Sequence, residues 1–229
     1  MKFSHKIKKL ADPLTYERGW RRVYRRLNPI PLRPLMARID QVRLRAIQER
    51  YASSQDHYAK YLDVERYLKI DIRRVQDLKL HRAPPQDVLD IGCGGGFFLF
   101  VLKQFGHSCL GLDIDEFPLF TELTGLLGVP RKIWTIQAFE PLPDLGRKFD
   151  WITGFSTAFA GTHFAPWRWG PEEWKFFLDD LGGHLKPGGR IFFGLNPCYD
   201  GHYYTPAIRE LFLSRGAVIE RENVLFRNG

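Results

Sequence analysis

The stretch Val88-Leu-Asp-Ile-Gly-Cys-Gly-Gly-Gly96 decides the fold: a short apolar run carries Asp90 into a glycine-rich turn, and Asp113 closes the next apolar run, Leu110–Asp113. Glycine at 92, 94 and 96 lets the backbone turn tightly and pass close to a ligand where a Cβ would collide. A carboxylate at Asp113 stands where it can accept hydrogen bonds from both hydroxyls of a ribose. Together these signals read as a nucleoside site.

Spacing and charge narrow the nucleoside. A dinucleotide fingerprint needs G-x-G-x-x-G, and the sixth position counted from Gly92 is Phe97. No Lys-Ser or Lys-Thr pair follows these glycines, so the G-x-x-x-x-G-K-[ST] phosphate loop is absent as well. An anion at Asp90, two residues before the loop, would repel phosphate and attract an ammonium. S-adenosyl-L-methionine carries an ammonium and a sulfonium but no phosphate, and suits such a turn.

At this point the chain resembles the class I S-adenosylmethionine-dependent methyltransferases, whose first motif, D-x-G-x-G-x-G, stands here as Asp90-Ile-Gly92-Cys-Gly94-Gly-Gly96. The likeness continues through Gly111-Leu-Asp113-Ile114, Phe149-Asp150-Trp-Ile-Thr and Leu185-Lys-Pro-Gly-Gly189. It implies S-adenosyl-L-methionine as cofactor, with S-adenosyl-L-homocysteine as product. It also implies that Asp90, Gly92, Cys93, Gly94, Gly96 and Asp113 bind it, with Ile114 on one adenine face. Gln137-Ala138-Phe139 would frame the adenine edge, although the family often has an acid where Ala138 stands. Phe155 would close the pocket under the sulfonium. Phe139 and Phe155 read equally well as core aromatics.

Apolar run length and glycine and proline punctuation predict strands near 87–91, 108–113, 131–136, 149–155, 190–196, 217–220 and 223–227. Helices fall near 97–105, 117–127, 171–184 and 205–215. The alternation predicts an α/β fold with a doubly wound, Rossmann-like, seven-stranded, mostly parallel sheet. Only antiparallel neighbours can be joined across Arg221-Glu222, so the last strand is antiparallel. The domain division expected is a basic N-terminal helical extension over 1–80 and a methyltransferase domain over 81–229.

The chain has 229 residues, 44% of them apolar and 14% aromatic, which is globular composition. Its charge is uneven. Residues 1–50 carry 14 Lys and Arg against 4 Asp and Glu, and the remainder carries 20 against 22. In the basic head, Arg21, Arg22, Arg25 and Arg26 interleave with Trp20, Val23, Tyr24 and Leu27, which suits a solvated cap, an anionic membrane surface or RNA. The start lacks the apolar h-region of a signal peptide, no run reaches a membrane span, and three cysteines without C-x-x-C spacing fit a reducing compartment. The expected location is cytoplasmic, or peripheral at a membrane.

Between 34 and 80, Leu35, Ile39, Val42 and Ala46 share one helical face, and Tyr61, Leu68, Ile72 and Val75 another. Two helices are therefore expected before the sheet. The run His57-Tyr-Ala-Lys-Tyr61 resembles one in bacterial methyltransferase-like proteins, and the family's habit of folding such helices over the cofactor makes Tyr58, Lys60 and Tyr61 candidates for its carboxylate. Methyl transfer needs a base only for an acceptor that must lose a proton. His163, Glu173 and His202 are candidates, with His163 first because it follows the fourth strand directly. Phe155, Phe159, Phe164, Trp167 and Trp169 suggest a lid over an apolar or sugar-like acceptor, while Trp174 belongs to a buried helical stripe with Phe177 and Leu178. Three functions follow: a methyltransferase for a small-molecule, lipid- or saccharide-linked acceptor, an RNA methyltransferase with a basic arm, or a non-catalytic binding module. No metal site and no obligate protein partner are expected.

Overall fold

The computed structural model describes residues 13–54, 56–157, 159, 169–198 and 200–227. Helices α1 (Pro13–Leu27), α2 (Leu32–Met36), α3 (Gln41–Tyr51) and α4 (Val64–Asp77), with a 3-10 helix at His57–Leu62, precede the first strand. Then strands and helices alternate: β1 (Asp87–Ile91), α5 (Phe97–Lys103), β2 (Ser108–Asp113), α6 (Pro118–Leu126), β3 (Arg131–Ile133), β4 (Phe149–Phe155), α7 (Pro171–Gly183), β5 (Leu185–Gly194), α8 (Pro206–Ser214), β6 (Val218–Glu220) and β7 (Asn223–Arg227).

The seven strands form one sheet in the order β3-β2-β1-β4-β5-β7-β6. The first five pair in parallel, and β7 runs antiparallel between β5 and β6, as the short Arg221-Glu222 link requires. Alternation along β1 sends Val88 into one core with Leu68, Val75 and Leu99, and Leu89 and Ile91 into the other with Trp174 and Phe177. Each sheet face is thus covered by helices. Trp174, Phe177, Leu178 and Leu181 recur at helical spacing on α7 and are all buried. Trp169 joins this core, its ring stacked on Phe159 at 4.5 Å.

The N-terminal helices depart from their expected pattern. The single face through Leu35, Ile39, Val42 and Ala46 does not exist: α2 ends at Met36, and Asp40 starts α3 afresh by accepting from the amides of Val42 and Arg43. This new start changes the helical phase, so Leu44 and Ile47 are buried while Val42 is 72% exposed. Three sheet strands also have different bounds, β6 by a single residue. β3 ends at Ile133 because residues 134–136 leave the sheet to line a cavity, and β5 begins at Leu185 through an irregularity opposite Phe149 and Trp151. At this lower edge Lys186 pairs with Asp87 at 2.6 Å and Asp150 at 2.8 Å.

Trp174→Ala removes the central ring of the second core and is expected to cost about 3–5 kcal/mol. Urea denaturation measures it, and a loss below about 1 kcal/mol would mean that the ring cluster does not bear the core.

Candidate functional site

Strand order reverses between β1 and β4, so the chain leaving β1 turns one way and the chain leaving β4 the other. A crevice opens at the carboxyl ends of such strands. Here it is a cavity of about 310 Å³, walled by the β1 loop at Gly92 and Gly94, by Asp113 and Ile114 after β2, and by Phe155, Ser156 and Thr157 after β4. Tyr58 and Tyr61 from the 3-10 helix cover one side, and Trp134, Thr135 and Ile136 another.

The loop is held by Asp113. One carboxylate oxygen accepts from the Gly94 amide and the other from the Ile114 amide at 2.8 Å. Burial pushes this carboxyl above the usual carboxylate range, and the two amides pull against that. Each oxygen retains a second lone pair for a ligand. Gly92 has φ +68°, and a Cβ there would lie 3.3 Å from Thr157 Cγ2. Thr157 Oγ1 is itself buried without a hydrogen-bond partner, which leaves a polar group waiting at the wall. Asp113 is the sole charged residue among the described residues of the lining.

Asp90 sits behind this wall, on the sheet face below α4. It is 4% exposed, accepts from Thr153 Oγ1 at 2.7 Å, and burial pushes its carboxyl up to about 8. Asp71 raises it further and Arg74 opposes. Asp71 and Arg74 pair at 2.7 Å on α4, and the Arg74 guanidinium lies 4.3 Å from the Phe155 ring centroid. Sequence reading missed this pair, although charges at 71 and 74 beside the apolar Leu68, Ile72 and Val75 stripe are the signal that could have found it. It also missed Phe117 and Phe120, which pack on Tyr58 at 3.7 and 5.4 Å between centroids.

The structure thus brings Gly92, Gly94, Asp113, Ile114, Phe155, Tyr58 and Tyr61 to one cavity. Burial pushes the Tyr61 hydroxyl up to about 12, which keeps it a neutral donor. Other expected residues lie elsewhere. Cys93 is buried, its sulfur packed toward Gly111, and Gly96 precedes α5 at φ +78°, where a Cβ would lie 3.2 Å from Thr124 and Val129. Ala138 packs against the second core, while Phe139 is 54% exposed and meets Phe176 at 5.9 Å. Gln137 donates to Glu140 at 3.0 Å, and the Lys60 ammonium lies 5.3 Å from the Tyr61 ring. Glu173 caps α7 by accepting from the Gly170 amide at 2.9 Å, and His202 is exposed. His163, Phe164 and Trp167 lie outside the described residues.

A second cavity, of about 320 Å³, shares Phe155 and Ser156 with the first. Phe192, Leu195 and Leu225 give it apolar lining, and Arg21, Arg74, Asp77, Glu220 and Glu222 charged lining.

No protein-family model matches the chain. Over 108 residues it is 29% identical to a ubiquinone biosynthesis O-methyltransferase from Chelativorans sp., a match covering 46% of this chain and 38% of that relative, so well under two thirds of the relative's length is spanned. Similar solved structures include an O-methyltransferase family protein from Burkholderia thailandensis (13% identity, 80% of this chain and 63% of that one, TM-score 0.48). Others are a ribosomal protein methylase from Lactobacillus delbrueckii subsp. bulgaricus (19%, 68% and 78%, TM-score 0.44) and an amino pentose methyltransferase from Micromonospora echinaspora with its cofactor bound (19%, 65% and 55%, TM-score 0.42).

Asp90 sets a pH dependence. From the ordinary value of 3.8 up to about 8, the folded chain holds a proton that the unfolded chain has released, so this group's contribution to stability falls as pH rises through that window. The stability of the native chain relative to Asp90→Asn is therefore expected to decline between those limits in urea titrations. A difference that stays flat with pH would contradict the assignment.

Proposed function

We propose that this chain, which has the class I S-adenosylmethionine-dependent methyltransferase fold, transfers a methyl group from S-adenosyl-L-methionine to a small-molecule, lipid- or saccharide-linked acceptor. The observation that carries the reading is the crevice at the strand reversal, whose described lining holds one carboxylate and no cation. A nucleotide phosphate would enter it uncompensated, whereas a sulfonium nucleoside brings its own positive charge. Bound there, the cofactor would supply a methyl group on a sulfonium whose leaving group departs neutral.

The chain's own residues then bind, orient and exclude water. Asp113 accepts from the ribose hydroxyls with its remaining lone pairs, Ile114, Trp134 and Ile136 offer apolar surface to the base, and the unpartnered Thr157 hydroxyl gains a partner. Tyr58 and Tyr61 close the side away from the strands. Asp90 does not reach the cavity: protonated up to about pH 8 and bonded to Thr153, it stands behind the wall and bears on the cofactor only by supporting the β1 loop, not as an anion facing the ammonium. Phe155 and Ser156 stand between cofactor and acceptor, since both cavities share them. In-line placement and desolvation supply most of the acceleration, because no proton need move on the cofactor side. Apolar and charged side chains in one lining favour an amphiphilic acceptor.

Calorimetry tests the cofactor half. The chain is expected to bind S-adenosyl-L-methionine and its demethylated product, with Asp113→Ala weakening both by about 10- to 150-fold, the equivalent of one charged hydrogen-bond pair at ~1.5–3 kcal/mol. Binding of NAD or ATP in their place would overturn the reading. Leu225→Trp, which fills the second cavity, is expected to leave cofactor affinity unchanged and abolish label transfer from methyl-labelled cofactor into cell extract. Undiminished transfer would move the acceptor elsewhere.

A further inference from the structure

Helix α1 is fastened to the fold by its inner side and leaves an apolar stripe on its outer side. Arg21 pairs with Glu220, Arg25 lies 3.4 Å from Asp77, and Gln76 donates to the Arg25 and Asn28 carbonyls at 3.3 and 2.7 Å. The Tyr24 ring meets His81 edge-on at 6.0 Å. With residues 21, 24 and 25 inward, helical spacing turns Trp20, Val23 and Leu27 outward along one stripe, and they are 69%, 44% and 72% exposed. Arg22 and Arg26 are also exposed, one helical step around from the stripe.

We infer that this face of α1 is a docking surface for an anionic lipid bilayer. Aromatic and aliphatic side chains beside arginines are what an interfacial helix presents: the apolar stripe enters the acyl boundary while the guanidinium groups stay at the phosphates. The net charge of +10 over residues 1–50 gives the complementary field. RNA would use the same arginines but has no use for Val23 and Leu27, since its recognition rests on phosphate contacts and aromatic stacking. A second copy would bring an equally basic face against this one. Arg21 on the inner side of α1 also lines the second cavity, together with Val218, which is 51% exposed. If that cavity takes the acceptor, as proposed above, docking holds it about 10 Å, one helix diameter, from the headgroup layer and favours an acceptor carried on a lipid.

Flotation of the full chain with vesicles, without cofactor, tests the docking independently of methyl transfer. The chain is expected to float with phosphatidylcholine vesicles containing phosphatidylglycerol and to stay behind with phosphatidylcholine alone, the difference shrinking at high salt. Trp20→Glu with Leu27→Glu is expected to abolish flotation while calorimetric cofactor binding and thermal unfolding stay as in the native chain. Arg22→Ala with Arg26→Ala is expected to lower partitioning ~25-fold, at about fivefold per charge. No flotation of the native chain, or flotation indifferent to the Trp20 and Leu27 changes, would overturn the inference. So would binding of single-stranded polyuridine that exceeds vesicle binding and survives those two changes.

Discussion

One carboxylate organises the cleft. Asp113, at the end of β2, accepts from the Gly94 amide of the neighbouring loop and from the Ile114 amide that follows it, and so joins the β1 turn to the β2 turn beside the point where the strand order reverses. Everything else at the site is arranged around that bridge. The glycines let the loop approach, the 3-10 helix brings Tyr58 and Tyr61 over it, and residues 134–136 leave the sheet to complete the wall. With no cation in the described lining, the bridge also sets what the cleft admits.

The arrangement is costly to fold. Burial raises the carboxyls of Asp71, Asp90 and Asp113, and the other two push Asp90 further up. Arg74 offsets part of this through its pair with Asp71, and Thr153 through its hydroxyl at Asp90. A charge left uncompensated in a low-dielectric interior favours any ligand that brings the opposite one. Stability is surrendered at the cleft and regained in the two aromatic-rich cores on either side of the sheet.

The sheet was legible because its signals are local: apolar runs of strand length, glycine corners, and a link too short for a parallel crossover. Trp174 was legible as core for the same reason. The phase of α2 and α3 was not, since Asp40 restarts the helix and one capping carboxylate outweighs a weak apolar period. At the site, Gly92, Asp113 and Ile114 could be read from the motif. Residues whose positions depend on how separate elements pack could not: the wall at 134–136 continues an apparent strand, and Arg74, paired with Asp71, meets Phe155 only because α4 packs in the core that holds Val88 and Trp151. The outward stripe of α1 needed the structure too, because sequence alone cannot tell which side of an amphipathic helix is spent on the fold.

A crystal structure of the chain grown with S-adenosyl-L-homocysteine tests the central claim most directly. It is expected to put both ribose hydroxyls within hydrogen-bond reach of the Asp113 carboxylate, with the sulfur toward Phe155. A ligand seated elsewhere, with the Asp113 cleft closed on the protein's own side chains, would contradict the account.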